Sequence, residues 1–126
     1  DFLEVAPSML KPSGTSTIYG TIRIVEPDDV TFLRWAKGRL ACVIFNLHVD
    51  HSEDGIEKAA SAFRSLIDLA IERNGTYYLT YHKWATKDQV LACYPQFPEF
   101  LELKRKYDPD ERFQSEWYRH YREMFA

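Results

Sequence analysis

The run from Leu40 to Val49 is the most β-prone stretch of the chain, and it does most to limit the fold. In an extended strand, alternate side chains share one face. One face of this strand is then apolar, with Val43, Phe45, Leu47 and Val49, and the other is mixed, with Cys42, Ile44, Asn46 and His48. A buried amide or imidazole costs free energy unless it finds a hydrogen-bond partner. We therefore expect the mixed face to line a polar cavity.

A long helix is predicted directly after this strand. Asp54 as N-cap and Glu57 three residues later have the spacing of a capping box, and Asn74-Gly75 supplies a C-terminal stop. Between them an apolar stripe recurs at helical spacing: Ile56, Ala59, Ala60, Phe63, Leu66, Ile67, Ala70 and Ile71. The stripe predicts a helix that covers the sheet.

One further strand is predicted before the Leu40–Val49 strand, at Ile18–Val25, and another after the long helix, at Tyr77–Tyr81. A short helix is predicted between the first two strands, with Asp28 or Asp29 as its N-cap and Gly38 as its end. The resulting order is strand, helix, strand, helix, strand. It predicts an α+β fold, an antiparallel sheet with helices packed on one face in a ferredoxin-like arrangement.

Beyond Lys83 the chain changes character and becomes helical. Caps and prolines predict three helices there: Thr86 to Pro95, Pro98 to Asp108, and Glu116 to Phe125. We expect a first unit in residues 1–83, which opens with an irregular segment in residues 1–17, and a helical tail in residues 84–126.

Composition excludes several classes of function. The chain has 126 residues, of which 45% are hydrophobic and 28% charged, as expected for one domain with a real core. A formal net charge of -3 argues against a nucleic-acid or anionic-membrane surface. The sequence has neither an apolar run of bilayer length nor a signal peptide, so we expect a cytoplasmic protein.

Cysteine, histidine and glycine spacing gives no cofactor motif. Cys42 and Cys93 lie far apart and are expected to be reduced packing thiols. The group His48, Asp50 and His51 resembles a metal cluster, but adjacent residues project in different directions, so no metal is expected. The five glycines form neither a phosphate-binding loop nor a dinucleotide fingerprint.

Two basic residues are candidates for chemistry. Lys83 follows the predicted Tyr77–Tyr81 strand and would share a face with Tyr81 at the mouth of the sheet. Arg23 alternates with Thr21 on the first strand, where a guanidinium can clamp an anionic or hydroxylated ligand. Each has an ordinary alternative, a solvated surface lysine and a rim charge paired with an acidic neighbour. The residues alone leave both interpretations open.

The stretch from Cys93 to Ser115 resembles the C-terminal end of FAD-dependent oxidoreductases of the vanillyl-alcohol-oxidase type. It is most similar to the aldonolactone and alditol oxidases and to the decaprenylphosphoryl-ribose oxidase. Those enzymes share a Tyr-Pro, a helix, an Asp-Pro and a Phe-x-Ser or Phe-x-Asn turn. The similarity extends upstream to three positions of their cap domain: Thr21 with Arg23, Ile44 with Asn46, and Lys83. Thr21 stands where alditol oxidases carry an acid, so polyol specificity is not implied.

The resemblance implies oxidation of a carbinol, in which a hydride passes from the substrate carbon to the flavin and a base takes the hydroxyl proton. Lys83 and Arg23 would be catalytic. Lys83 would contact the substrate oxygen or the flavin, and Arg23 would bind hydroxyls or stabilise negative charge. The implied substrate-binding residues are Thr21, Asn46, His48 and Tyr81, and Ser115 joins Lys83 at the cofactor. A strand register shifted by one residue would put Phe45 or Leu47 in the place of Asn46.

In that family FAD is held mainly by an N-terminal domain. The resemblance therefore implies that residues 1–83 are a substrate-binding cap and that the tail in residues 84–126 packs on an FAD-binding domain not included in this chain. The expected partners are that domain and a small hydroxylated substrate, with no nucleic acid and no membrane span. Surplus tail aromatics favour self-association into a homo-oligomer when that domain is missing. The competing hypothesis is a non-catalytic α+β ligand-binding or oligomerisation module.

Overall fold

A computed structural model describes residues 1–11 and 16–126 of the chain. Within these ranges it contains five helices and one two-stranded antiparallel sheet. In chain order the elements are α1 (Phe2–Leu10), β1 (Thr17–Val25), β2 (Leu40–Leu47), α2 (Glu53–Ile71), α3 (Lys87–Cys93), α4 (Phe97–Tyr107) and α5 (Glu116–Met124). The predicted α+β class, with an antiparallel sheet and a helical C-terminal tail, is confirmed.

The sheet is formed by the first two predicted strands. β1 and β2 pair antiparallel, from Val25 opposite Leu40 to Tyr19 opposite Asn46. Beyond Tyr19 the register shifts, and Thr17 pairs with Leu47. The extra residue on β1 is a β-bulge, which locally increases strand twist.

The helix predicted between the two strands is wrong, because residues 29–38 form turns. The Asp28 carboxylate accepts hydrogen bonds from the backbone N–H groups of Val30 (2.9 Å) and Thr31 (3.0 Å), and from the Thr31 hydroxyl. The Asp28 N–H donates to the Ala36 carbonyl at 2.9 Å and closes the loop. An aspartate that satisfies backbone donors in this way favours a turn over a continuing helix.

The long predicted helix is confirmed as α2, although its N-cap is Ser52 rather than Asp54. The Ser52 hydroxyl accepts from Gly55 N at 3.1 Å. At the other end Gly75 N donates to the Ala70 carbonyl at 2.7 Å, and Asn74 adopts φ 56°. This is the predicted stop, made by a residue type that tolerates the left-handed region.

Helix α1 was not predicted, because Pro7 lies inside it. Proline in a helix interior removes a hydrogen bond and normally breaks the helix. Here Ala6 and Leu10 are buried in a cluster with Leu66 and Leu69 of α2, and this packing offsets the cost. Residues 12–15 of the predicted irregular segment lie outside the described part of the chain.

The predicted strand at Tyr77–Tyr81 is also wrong, because residues 75–86 have no regular structure. Side chains of the tail bind the backbone of this segment instead. The Tyr94 hydroxyl donates to the Tyr77 carbonyl, and Trp117 Nε1 donates to the Leu79 carbonyl at 3.0 Å. Leu79 itself is buried in the main core. The aromatic run is therefore held by helical neighbours rather than by a strand partner.

The main core is an aromatic cluster formed largely by the tail. Its fully buried centre is Phe97, whose ring lies 4.9 Å from Tyr121, 5.3 Å from Phe125 and 5.7 Å from Trp117 between centroids. Ile67 of α2 joins this core. Most of the tail aromatics are therefore buried or half-buried within the chain, whereas Tyr107 and Phe113 are exposed.

Helix α2 connects the two hydrophobic clusters. It packs against α1 on one side and against α3 on the other. The buried Gln89 of α3 fixes the second contact, because its Nε2 donates to the Arg64 carbonyl (2.8 Å) and to Asp68 Oδ1 (2.6 Å) of α2. On the first side Phe45 and Leu47 of β2 pack against the α1–α2 cluster. The helices thus cover the end of the sheet that carries these two residues.

Across residues 1–11 and 16–126, no helix is long and apolar enough to cross a membrane. Both cysteines are free thiols, as predicted, with Cys93 fully buried and Cys42 half-buried.

Candidate functional site

Three predicted substrate-binding or catalytic residues lie on one face of the sheet. In the observed register Thr21 is opposite Ile44, and Asn46 is opposite Tyr19. Arg23, two residues after Thr21, is opposite Cys42. Directly opposed residues of antiparallel strands project to the same side, with Cβ atoms about 4.5–5.5 Å apart. The residues Tyr19, Thr21, Arg23, Cys42, Ile44 and Asn46 therefore share one surface, which we call the polar sheet face.

The guanidinium of Arg23 is exposed on this face. Its sequence neighbour Glu26 pairs with Arg39 at 3.2 Å, and within the described residues no carboxylate lies at ion-pairing distance from Arg23. Burial raises the pKa of the Cys42 thiol, and the guanidinium of Arg23 offsets part of this shift. Arg23 thus presents an uncompensated positive charge beside a half-buried thiol and two hydrogen-bonding side chains.

His48 lies just beyond the end of β2 and is exposed. Its Nε2 is 3.3 Å from Asp50 Oδ1, and its backbone N–H donates to the Ser16 carbonyl at 2.8 Å. In the described ranges no three histidine, cysteine, aspartate or glutamate side chains form a group that could hold a metal ion.

Lys83 is exposed and lies beside α5, so the expectation that it stands at the mouth of the sheet is wrong. Hydrogen bonding from Arg119 lowers the pKa of the Glu116 carboxyl, and the charge of Lys83 lowers it further. Burial lowers the pKa of His120, with a second contribution from Lys83. The lysine is therefore near the first turn of α5, because no strand forms before it to carry it to the sheet.

Ser115 caps the same end of α5. Its hydroxyl accepts a hydrogen bond from Tyr118 N at 3.1 Å. Lys83 and Ser115, the two residues that the resemblance assigns to the cofactor, are thus associated with one helix terminus. Tyr81 is exposed and its ring contacts Tyr78, at 5.3 Å between centroids. No hydrogen bond, ion pair or ring contact in the described part of the chain joins Lys83 or Tyr81 to the two strands.

Two residues with clear structural positions received no role in the sequence interpretation. Tyr19 lies on the polar sheet face, and its alternation with Thr21 was visible in the sequence. His82 packs against Phe63 and Trp84, at ring distances of 4.3 Å and 4.9 Å, and those two rings contact each other at 5.3 Å. Burial lowers the pKa of His82. Only the fold reveals this packing, because Phe63 is on α2.

A family model for D-arabinono-1,4-lactone oxidase matches residues 21–121. The match spans most of the chain, from Thr21 on the polar sheet face to Tyr121 in the aromatic core.

The chain belongs to the D-arabinono-1,4-lactone oxidase family.

Membership of the D-arabinono-1,4-lactone oxidase family implies oxidoreductase and flavoprotein character. It agrees with the aldonolactone-oxidase part of the predicted resemblance. Neither the curated proteins nor the solved structures contain a significant match to this chain.

Proposed function

We propose that this chain is the substrate-binding C-terminal part of an FAD-dependent oxidase that oxidises a hydroxyl group of a sugar, lactone, polyol or hydroxy acid. The family favours a sugar lactone among these. The observation that carries the proposal is the common sheet face of Thr21, Arg23 and Asn46. All three lie within the family match at residues 21–121.

These three side chains suit a polyhydroxylated ligand. The Asn46 amide donates and accepts, the Thr21 hydroxyl does both, and the Arg23 guanidinium offers several donors in a fixed plane. Since Arg23 has a positive charge, it also stabilises negative charge that develops on a substrate oxygen during oxidation. In this proposal Asn46 orients the substrate and Arg23 contacts it both before and during the reaction.

In residues 1–11 and 16–126, the glycines do not form a cradle for the FAD pyrophosphate. Two of these glycines lie at the ends of α2, where a Cβ would clash with the Asp50 carbonyl at Gly55 and lie 3.0 Å from the Ala70 carbonyl oxygen at Gly75. These glycines allow close backbone approach at the two ends of α2, and the described residues contain no glycine-rich loop that leads into a helix. We therefore propose that an N-terminal FAD-binding domain of the same protein supplies the flavin, the hydride acceptor in this chemistry.

Lys83 and Ser115 are the proposed contacts on the cofactor side. Their association with the N-terminal end of α5 supports a common role. Lys83 would hydrogen-bond the substrate oxygen or the flavin from the irregular segment beside α5. The tail would pack on the FAD-binding domain around the N-terminal end of α5.

The test uses the full-length enzyme and separates binding from rate. Arg23→Met is expected to raise KM for an aldono-1,4-lactone and to slow flavin reduction, because a guanidinium contact is lost in both the bound state and the transition state. Steady-state kinetics and anaerobic stopped-flow absorbance of the flavin measure the two effects.

Arg39→Met is the matched control, since Arg39 is an exposed arginine directly before β2 whose partner is Glu26. It is expected to leave both constants unchanged. Unchanged KM and flavin reduction in the Arg23 variant would contradict the proposal. A full-length protein that holds no flavin would instead favour the non-catalytic binding module.

A further inference from the structure

Tyr19 is the most prominent aromatic side chain on the polar sheet face. It is 58% exposed and lies directly opposite Asn46. Thr21 follows at the next position on the same face. Among the described residues, the Tyr19 ring has no aromatic neighbour and its hydroxyl makes no hydrogen bond. An exposed ring thus stands beside an amide and a hydroxyl.

The β-bulge determines which residues face Tyr19. Thr17 pairs with Leu47, whereas Tyr19 pairs with Asn46, so β1 gains one residue relative to β2. If the Thr17–Leu47 register continued without the bulge, Tyr19 would be opposite Phe45 and Thr21 opposite Val43. Bulges re-aim side chains in this way and occur often beside functional sites. Here the bulge places the ring with the polar residues rather than with the apolar face.

This combination of groups suits a ring-shaped sugar. A sugar lactone has hydroxyl groups at its edge and flat patches of C–H groups on its faces. Binding sites combine an apolar or aromatic surface with a few polar groups that fix orientation. On this face Tyr19 offers the aromatic surface, and Asn46, Thr21 and Arg23 offer the polar groups.

We propose that Tyr19 is a specificity-determining residue, the platform on which the C–H face of a cyclic lactone stacks while its hydroxyls meet Asn46 and Thr21. This inference rests on the proposed function and adds to it a residue that distinguishes cyclic from open-chain substrates. An open-chain polyol has no flat face of this kind, so the platform selects the cyclic form.

The experiment compares an aldono-1,4-lactone with a linear alditol of the same carbon number in the full-length enzyme. Tyr19→Leu is expected to raise the lactone KM by about tenfold, the scale of one lost aromatic contact, with kcat nearly unchanged. The KM or inhibition constant of the alditol changes less. Tyr19→Phe retains the ring and is expected to rescue the lactone KM.

Ile22→Thr is the matched control for a truncation on β1, because Ile22 is 55% exposed and lies on the opposite face of that strand from Tyr19. Thermal unfolding of each variant identifies a folding defect, and Tyr19→Thr, which keeps high strand propensity, serves as the second truncation. An unchanged lactone KM in either truncation would overturn the inference, as would an equal loss for the lactone and the alditol.

The Arg23→Met result separates this inference from the proposed function. If Arg23→Met weakens substrate binding and the Tyr19 truncations do not, only the platform is wrong. If neither substitution changes the kinetics, the polar sheet face is not the substrate site, and both proposals fail.

Discussion

Replacing Trp117 with phenylalanine removes one hydrogen bond that holds the irregular segment 75–86 against the tail. Trp117 Nε1 donates to the Leu79 carbonyl at 3.0 Å, and Leu79 is buried. Phenylalanine keeps an aromatic ring beside Phe97 and Tyr121 but has no donor. The variant therefore leaves a carbonyl acceptor without this partner in a segment that also carries Lys83.

The size of the effect follows from the environment of the carbonyl. A buried acceptor that loses its partner costs about 1–3 kcal/mol. Trp84→Phe is a matched control, because the Trp84 ring stacks on His82 at 4.9 Å while its indole N–H takes part in no hydrogen bond among the described residues. Both substitutions lose ring area. We expect Trp117→Phe to lower the free energy of unfolding by about 1–3 kcal/mol more than Trp84→Phe.

Urea unfolding followed by far-ultraviolet circular dichroism measures this difference without depending on tryptophan fluorescence. Amide hydrogen exchange then locates it, since exchange in residues 77–83 is expected to quicken in the Trp117 variant alone. Equal unfolding free energies in the two variants, with unchanged exchange in that segment, would refute the reasoning. The Leu79 carbonyl would then be satisfied by water, and the tail would not fix the position of Lys83.

In the full-length enzyme, Lys83→Met is expected to slow anaerobic flavin reduction by about a hundredfold, the scale of one lost acid–base or electrostatic group. Lys58→Met, on the exposed face of α2, is the control and is expected to leave the rate unchanged. Stopped-flow absorbance measures both, and a near-normal rate would make Lys83 an ordinary surface lysine. Burial holds the pKa of His82 in the folded protein below its usual value of 6.5. As the pH falls below 6.5, the unfolded chain therefore binds a proton at His82 that the folded protein does not bind. The free energy of unfolding is expected to fall as the pH falls through this range. Urea midpoints at about pH 7.5 and about pH 5.5 test this. His82→Phe, which keeps a ring packed against Phe63 and Trp84, is expected to lose less stability on acidification than the natural protein, and an equal loss would argue against the assignment.

Elements whose ends are fixed by local chemistry could be predicted from the sequence. Thr86 forms the capping box with Gln89 that begins α3, and Asn74-Gly75 ends α2 at the predicted point. Alternation along β1 and β2 correctly grouped Thr21 with Arg23 and Ile44 with Asn46. In each case the deciding interactions join residues that are close in sequence or paired in one hairpin.

The predictions that were wrong concern segments whose structure is decided by contacts with residues distant in sequence. The Tyr77–Tyr81 run is β-prone, but its backbone carbonyls are bound by Tyr94 and Trp117 of the tail. Helix α1 forms around Pro7 because α2 buries two of its side chains. The expected position of Lys83 at the mouth of the sheet depended on that strand, so only this part of the reasoning about Lys83 fails with it.

Adjacent residues of α2 serve different clusters, since Leu66 packs with α1 while Ile67 packs with the aromatic core of the tail. A chimera that joined two family members within α2 would therefore have α1 from one parent and the helical tail from the other, and both would pack against the same helix. Even where both parents fold well, such a junction would mismatch side chains on two sides at once. A crossover in the turns at residues 29–38 would leave every helix intact, but it would divide β1 from β2, whose pairing forms the polar sheet face.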